Sequence, residues 1–211
     1  GNGNYAYIDT LQEARKVLVE QMRSTLLTVA KDVKVQIEFN PAVVSEYRLI
    51  GYENRMLARE DFNNDRVDAG DVGAGQTVTA LYELTPVGAR QSVDALRYGA
   101  PDAAASRAQP EAAEIAFLRV RYKAPQASAS RLLEQPIARS SVLPAWTRAS
   151  EDWRFASAVA GFGQLLRGGA HTAGWGYAQV IDTAAKARGA DEYGYRGEFL
   201  ALARLADSIG R

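Results

Sequence analysis

Residues 33–54 read VKVQIEFNPAVVSEYRLIGYEN, and this stretch decides the fold class of the chain. Over residues 33–39, apolar side chains alternate with polar ones, which is the period of a β-strand with one buried face. Asn40 and Pro41 end that strand, because proline cannot donate to a β-ladder and asparagine tolerates turn geometry. A second extended segment follows over residues 45–53. The stretch therefore predicts two strands at the start of a β-rich region.

Upstream of these strands, the sequence predicts a short strand at residues 5–8 and then a long amphipathic helix. Thr10 and Glu13 fit a capping box, in which Thr10 caps the helix and Glu13 reaches back to it. Apolar residues then recur at helical spacing as far as Val29. We therefore expect a helix of about five turns with one buried stripe.

Downstream of residue 54, the sequence changes from strands to helices. Composition and alternation predict further strands at residues 77–84, 116–123 and 137–142. Helical periodicity begins near residue 150 and predicts three helices, of which the second covers residues 177–188. Strands followed by helices, instead of alternating with them, are typical of an α+β fold. We predict an antiparallel β-sheet or small β-sandwich with an N-terminal helix and a C-terminal three-helix cap.

The predicted domain organisation has three parts. They are a terminal strand and helix at residues 1–30, a β-rich domain at residues 31–145, and a helical cap packed with it at residues 146–211. The chain does not open with methionine, and we therefore expect it to be a processed piece of a longer protein.

The composition argues against several functional classes. In the 211 residues, 25 Lys and Arg residues balance 25 Asp and Glu residues, which argues against a nucleic-acid or polybasic membrane surface. The absence of cysteine excludes disulfides, Cys-ligated zinc and thiol nucleophiles. His171 is the single histidine, so these residues contain no two-histidine metal site. No segment approaches the roughly 18 unbroken apolar residues of a membrane span.

An acidic loop after the second strand contains the metal candidates. Asp61, Asn63 and Asp65 occupy positions 1, 3 and 5 of an EF-hand-like calcium loop, where oxygen ligands converge on a hard cation. Arg66 stands where that loop needs glycine, and Val72 stands where it needs the bidentate glutamate. These departures favour a solvated hairpin loop whose side chains bond their own backbone, and leave calcium binding as the weaker alternative.

Residues 70–77, GDVGAGQT, differ at one position from the phosphate-binding pattern G-x-x-x-x-G-K-[ST]. Gln76 replaces the lysine that reaches the terminal phosphates, and we expect a strand where that loop requires a helix. The pattern therefore predicts a glycine-rich turn that leads into a strand, and nucleotide binding is rejected.

The strand at residues 116–123 places three cations on one face: Arg119, Arg121 and Lys123. This arrangement is a possible binding face for an anionic ligand. Such a face is more often the solvated side of a sheet with acidic neighbours, which is the alternative we favour.

The helical region contains the remaining candidates for chemistry. Asp182, Asp191 and Glu192 can pair as an acid and a base, although their spacing does not require it. Five aromatic residues can form a sugar-binding platform, but at helical positions such residues more often belong to the core. The aromatic residues are Trp146, Trp153, Trp175, Tyr193 and Tyr195. No constellation indicates a catalytic site.

Two segments of the chain resemble known bacterial sequences. Residues 1–18, GNGNYAYIDTLQEARKVL, resemble the last strand and helix of a von Willebrand factor type A domain. Residues 32–57, DVKVQIEFNPAVVSEYRLIGYENRML, and residues 61–84, DFNNDRVDAGDVGAGQTVTALYEL, are similar to the C-terminal region of YfbK-like proteins. The resemblance is strongest over residues 1–86 and continues more weakly through the C-terminal helices.

The resemblance implies a C-terminal domain of unknown function that follows a metal-binding type A domain. The metal motif of type A domains, Asp-x-Ser-x-Ser, has no counterpart in these residues, so no metal ligand is carried over. A divalent cation is expected in the type A domain itself. The resemblance also implies an extracytoplasmic, periplasmic or membrane-anchored protein with a protein partner.

We therefore expect a non-enzymatic accessory or scaffold domain that supports protein–protein interaction or adhesion. One alternative is a self-standing adhesion or carbohydrate-binding module that uses the basic face or the aromatic residues. The other alternative is a calcium-stabilised structural domain.

Overall fold

The computed structural model describes residues 7–21, 27–51, 57–67, 69–90, 113–169, 171–172 and 174–210. The β-strands in these residues are β1 (Thr28–Phe39), β2 (Val44–Ile50), β3 (Gly70–Gly73), β4 (Leu81–Pro86), β5 (Glu114–Lys123) and β6 (Ser130–Ala138). The α-helices are α1 (Leu11–Arg15), α2 (Glu151–Leu166), α3 (Tyr177–Lys186) and α4 (Tyr195–Ile209). The predicted α+β class is confirmed. None of the described helices is both long and apolar enough to span a bilayer.

The chain divides into two compact units. Unit 1 contains residues 1–46, 54–78 and 85–139, and unit 2 contains residues 47–53, 79–84 and 140–211. The four-stranded sheet belongs to unit 1, and helices α2 to α4 belong to unit 2. Strands β2 and β4 pair with each other as a separate two-stranded ribbon.

The sheet of unit 1 has the strand order β3-β1-β5-β6, and every neighbouring pair is antiparallel. Direct cross-strand partners project from the same face of a sheet. Val35 of β1 opposes Val120 of β5, which opposes Leu133 of β6, so one face is largely apolar. Lys34 opposes Arg121 on the other face. The alternation at residues 33–39 therefore gives the sheet one apolar face and one charged face.

Strand β1 contains a bulge at Asp32. At this residue, the register of β1 shifts against both neighbouring strands. The shift against β3 lies between Ala30 and Val33, and the shift against β5 lies between Lys31 and Lys34. Asp32 itself is buried and has a φ of 54°, in the left-handed region that aspartate tolerates better than most residues. The bulge changes the direction of the Asp32 side chain, which takes part in the candidate site.

The prediction of the N-terminal helix is wrong for the C-terminal part of that helix. Helix α1 continues as a π-helical segment, Lys16–Gln21, and β1 begins at Thr28, within the span predicted to be helical. The strand forms because Thr28 pairs with Gly73 of β3, a partner that local helical spacing cannot reveal. Parts of three predicted elements lie outside the described residues. They are residues 22–26 of the helix, residues 5 and 6 of the first strand, and residues 52 and 53 of the second extended segment.

Two other strands are displaced from their predicted positions. Strand β4 covers Leu81–Pro86, and β6 covers Ser130–Ala138, which is earlier than the predicted strand at residues 137–142. A tight turn closed by the Ala127 N–H and the Ala124 carbonyl brings the chain back early, so that Ser130 pairs with Lys123. The predicted strand at residues 5–8 is not formed at residues 7 and 8.

In unit 2, the three helices pack around one apolar core. Ser150 caps α2, because its hydroxyl accepts a hydrogen bond from the Trp153 N–H at 3.2 Å, as predicted. The buried residues of the core are Ala158, Phe162, Val180, Ala184, Leu200 and Ala203. Gly161 lets Trp175 approach, since a Cβ at this position would lie 3.2 Å from the Trp175 ring. Small residues therefore permit the close packing of these helices.

Candidate functional site

Charged side chains from β1, β5 and an intervening loop meet beside the sheet of unit 1. We define this charge network by five residues: Asp32, Lys34, Asp65, Arg121 and Lys123. Asp32 and Lys34 lie on β1, Arg121 and Lys123 lie on β5, and Asp65 lies in the loop that follows a 3-10 helix at Arg59–Asn63. The network includes two of the three cations that the sequence places on the basic strand.

Asp32 is held by both of its neighbouring strands. Its backbone N–H donates to Asp71 Oδ1 on β3 at 3.0 Å. Its carboxylate Oδ2 lies 2.8 Å from Lys123 Nζ, and its Oδ1 lies 3.7 Å from Lys34 Nζ. The hydrogen bond with Asp32, together with the negative charges of Asp32 and Asp65, raises the pKa of Lys123 above its ordinary value. The bulge therefore places one buried carboxylate between two ammonium groups.

Asp65 forms hydrogen bonds that attach its loop to the sheet. Its Oδ1 accepts hydrogen bonds from the Ser130 hydroxyl at 2.5 Å and from Arg121 Nη2 at 3.1 Å. Its backbone carbonyl accepts a hydrogen bond from Lys123 Nζ at 3.1 Å, and the neighbouring Asn64 carbonyl accepts one from Lys34 Nζ at 2.5 Å. The Ser130 hydrogen bond, with smaller contributions from Arg121 and Lys123, lowers the pKa of the Asp65 carboxyl. These bonds join the loop to β1, β5 and β6.

The charges of the network are nearly balanced. Its two carboxylates pair with three cations, and the Asp71 carboxylate beside them accepts the Asp32 N–H. The side chains of Lys34 and Asp32 keep only 1% and 9% of their surface exposed. Buried charges persist in proteins when they are paired, and removal of one partner from a buried pair costs about 3–5 kcal/mol. The arrangement is therefore suited to holding the loop and the bulge in place.

The calcium candidates are distributed over the 3-10 helix and the loop that follows it. Asp61 and Asn63 lie in the 3-10 helix, which the buried Phe62 anchors, while the Asp65 carboxylate is engaged by Ser130 and Arg121. Within the described part of the chain, no three His, Cys, Asp or Glu side chains form a group that could hold a metal ion. Calcium binding by these three residues stays a prediction.

Each cation of the predicted basic face has a carboxylate partner within unit 1. Arg119 Nε lies 3.2 Å from Glu134 Oε1 on β6, and the Arg119 guanidinium lies over the Phe117 ring. Arg121 and Lys123 belong to the charge network, where 22% and 17% of their side-chain surfaces are exposed. An anionic ligand would have to compete with these carboxylates, and ligand binding at this face stays a prediction.

The acidic candidates of unit 2 have separate structural contacts. Asp182 forms an ion pair with Lys186 one helical turn away, at 2.7 Å. Asp191 accepts hydrogen bonds from the N–H groups of Arg196 and Gly197 at the start of α4, at 2.9 and 2.8 Å. His171 is exposed in the turn between α2 and α3. The acid–base pairing considered for Asp182 stays a prediction.

The aromatic candidates form two pairs. Trp146 and Trp175 contact edge to face, with ring centroids 6.2 Å apart, and Trp175 also packs against the helical core. Tyr193 and Tyr195 are stacked, with centroids 5.9 Å apart. Trp153, on α2, keeps 46% of its surface exposed. Of the five aromatic residues, Trp146, Trp153 and Tyr193 are exposed, whereas Trp175 and Tyr195 are partly buried.

A shallow concavity lies at the N-terminal ends of α2 and α4, and sequence analysis did not identify it. Its volume is about 330 Å³, and its lining includes Glu151, Glu192, Tyr193, Tyr195 and Arg196. The Arg196 guanidinium pairs with Asp152 on α2 and lies 4.7 Å from the centre of the Phe155 ring. The only sequence signal is the run DEYGY at residues 191–195, which combines acids, tyrosines and a glycine turn.

Comparison with known proteins identifies the family of the chain. The model of the family described as "Uncharacterized protein YfbK, C-terminal" matches residues 24–209. The chain belongs to this family. It is also 52% identical over 209 residues to "Uncharacterized protein YfbK" of Escherichia coli (strain K12). The resemblance to the C-terminal region of YfbK-like proteins is therefore confirmed.

The match covers the two proteins unequally. It includes 99% of this chain but 35% of the Escherichia coli protein, so the chain spans about a third of the length of the curated relative. No solved structure matches this chain. The resemblance of residues 1–18 to a von Willebrand factor type A domain stays a prediction.

Proposed function

We propose that this chain is a non-enzymatic accessory domain of a bacterial von Willebrand factor type A domain protein, where it supports protein–protein interaction or adhesion. The charge network carries this proposal. Arg121 and Lys123, the residues best placed to bind an anionic ligand, are neutralised by Asp32 and Asp65 of the same unit. Their contacts join a loop to three strands, which is a structural task. Such a unit provides a stable platform and leaves the reactive or metal-dependent chemistry to another domain.

The wider context of the proposal follows from the resemblance. A divalent cation is held by the type A domain, and this domain recognises the protein partner. The whole protein is extracytoplasmic, in the periplasm or anchored to a membrane. The support for this context is the family membership of the chain and its coverage of 35% of a longer relative.

Affinity capture tests the proposal. This chain and the full-length protein serve as parallel baits in extract from the native host, each with magnesium and with EDTA. We expect only the full-length bait to retain a partner through washing, and we expect EDTA to release that partner. Retention of the same partner by this chain alone, regardless of metal, would show that the chain is itself the main binding module.

A further inference from the structure

The concavity of unit 2 has an exposed aromatic face. Tyr193 and Tyr195 are stacked with a 26° angle between their planes, and Tyr193 keeps 52% of its surface exposed. The chain turns between them at Gly194, whose φ of 76° favours glycine. The face of an aromatic ring carries partial negative charge and attracts ammonium and guanidinium groups. The position of Tyr193 at the rim therefore makes its ring available to a cation from outside.

The same corner of unit 2 already holds one guanidinium group. The Arg196 side chain lies over the Phe155 ring, pairs with Asp152 and donates a hydrogen bond to the Ala187 carbonyl at 2.8 Å. An aromatic face, a carboxylate and a carbonyl together form the environment that a planar cation requires. Arg196 thus shows within the structure how this part of unit 2 accommodates a guanidinium.

Two carboxylates of the concavity have no cationic side chain paired with them in the part of the chain that the structure describes. Asp152 pairs with Arg196, and Asp191 accepts the N–H groups at the start of α4 and lies 3.6 Å from Arg188 Nε. The side chains of Glu151 and Glu192 are exposed, and within the described residues neither side chain forms an ion pair or a hydrogen bond. The concavity therefore has excess negative charge beside an exposed aromatic ring.

We infer that this concavity binds a basic side chain, preferably an arginine, presented by a partner polypeptide. The planar guanidinium lies over the ring of Tyr193, and Glu151 and Glu192 balance its charge. Arginine is preferred over lysine because its flat, weakly hydrated cation stacks on aromatic faces. A volume of about 330 Å³ is at the lower end of the range for small-ligand sites, which suits one side chain.

This inference rests on the proposed function and adds the chemistry of one contact. A single exposed side-chain site has a dissociation constant on the order of 10 mM, since cation–π contacts and exposed ion pairs are weak. Such a site does not retain a partner through washing when it acts alone. It increases the affinity of a partner that the full-length protein already holds.

Titration of this chain with N-acetyl-arginine amide tests the inference. Backbone amide chemical shifts of Gly189 and Gly194 are followed by NMR, up to concentrations several times the expected dissociation constant. We expect saturable shifts that weaken with added salt, because part of the attraction is between exposed charges. Tyr193→Ala is expected to raise the dissociation constant about fivefold, and Glu192→Gln about twofold. Glu198→Gln, an exposed glutamate on α4 outside the lining, is the matched control and is expected to change nothing.

Three outcomes would overturn the inference. They are an absence of saturable shifts, an equal response to N-acetyl-norleucine amide, and a stronger response to the neutral sugar N-acetylglucosamine. The last outcome would assign the tyrosine face to carbohydrate instead. None of these results affects the capture experiment, which compares the two baits without any change in the concavity, so the proposed function and the site can fail separately.

Discussion

Asp32 Oδ1 lies 3.7 Å from Lys34 Nζ across the bulge of β1, and both side chains are almost completely buried. Neither charge would be stable in this position alone, because transfer of an unpaired ion out of water costs several kcal/mol. The pair is compensated by Lys123 beside Asp32 and by the Asn64 carbonyl beside Lys34. The buried charges of β1 therefore depend on β5 and on the loop at residues 64–65, and they couple these segments in the folded state.

The pKa shifts in the charge network predict loss of stability at both extremes of pH. The pKa of Asp65 is lowered from 3.8, so its contribution is present above pH 3.8 and is lost as the pH falls through its lower folded value. The pKa of Lys123 is raised from 10.5, so its contribution is present below pH 10.5 and is lost as the pH rises through its higher folded value.

Thermal melting across the pH range checks this expectation. The melting temperature should fall at low pH and at high pH. Asp65→Asn should make the fall at low pH less steep and should leave the fall at high pH in place. If the melting temperatures of the wild-type protein and of Asp65→Asn fall equally steeply at low pH, the Asp65 contacts contribute nothing to stability.

Two glycines of α2 should respond oppositely to alanine. Gly163→Ala should stabilise unit 2 by about 0.5–1 kcal/mol, because alanine favours a helix and the added Cβ meets no atom within 4 Å. Gly161→Ala places its Cβ 3.2 Å from the Trp175 ring, and this overpacking costs about 1–3 kcal/mol. Urea denaturation of both variants measures the difference. Equal stabilisation by both substitutions would show that Trp175 moves aside freely.

The N-cap of α2 should contribute measurably to the stability of unit 2. Ser150→Ala removes the acceptor of the Trp153 N–H and should cost about 1 kcal/mol. Ser157 provides the matched control, since its hydroxyl only donates to the Trp153 carbonyl within the helix, and Ser157→Ala should be neutral or slightly stabilising. Denaturation monitored by helical circular dichroism gives both values. A loss at Ser157 as large as that at Ser150 would contradict the assignment of the cap.

Calcium should not change the stability of the protein. The Asp65 carboxylate is engaged by Arg121 and Ser130, so an ion would have to replace existing bonds at this position. A ligand that binds only the native state raises the melting temperature in proportion to the logarithm of its concentration. We expect equal melting temperatures in millimolar calcium and in EDTA. A rise with calcium concentration that Asp61→Asn abolishes would establish the calcium-stabilised alternative.

The sequence predicts those elements whose signals are local. The alternation of residues 33–39 and 116–123 predicts the central strands of the sheet, and Ser150 marks the start of α2. The beginning of β1 at Thr28 depends on pairing with Gly73, so helical spacing misled the prediction there. The predicted strand at residues 137–142 lies later than β6, because the adjacent Leu132 and Leu133 interrupt the alternation, although both residues pair with β5.

The candidate site was predictable only in part, for the same reason. The basic residues of β5 are visible in the sequence, but Arg121 meets Asp65 across 56 residues of chain. The bulge that aims Asp32 at Lys123 has no signature within β1 itself. The apolar residues of α2 lie on several of its sides, yet Trp153 and Leu166 are 46% and 61% exposed. A helix in a three-helix unit buries only a narrow stripe, here Ala158 and Phe162.

The central claim is that the charged groups beside the sheet stabilise this domain and are not reserved for a ligand. A double-mutant cycle on Asp32→Asn and Lys34→Met tests it most directly, with the free energy of unfolding measured in urea. We predict that Asp32→Asn costs about 3 kcal/mol, because it leaves the buried Lys34 without a carboxylate partner, and that Lys34→Met costs less, because Asp32 keeps its contact with Lys123. The double substitution should cost less than the sum, with a coupling of about 1–3 kcal/mol. Small, additive losses would contradict the account, since the two charges would then contribute no mutual stabilisation to the fold.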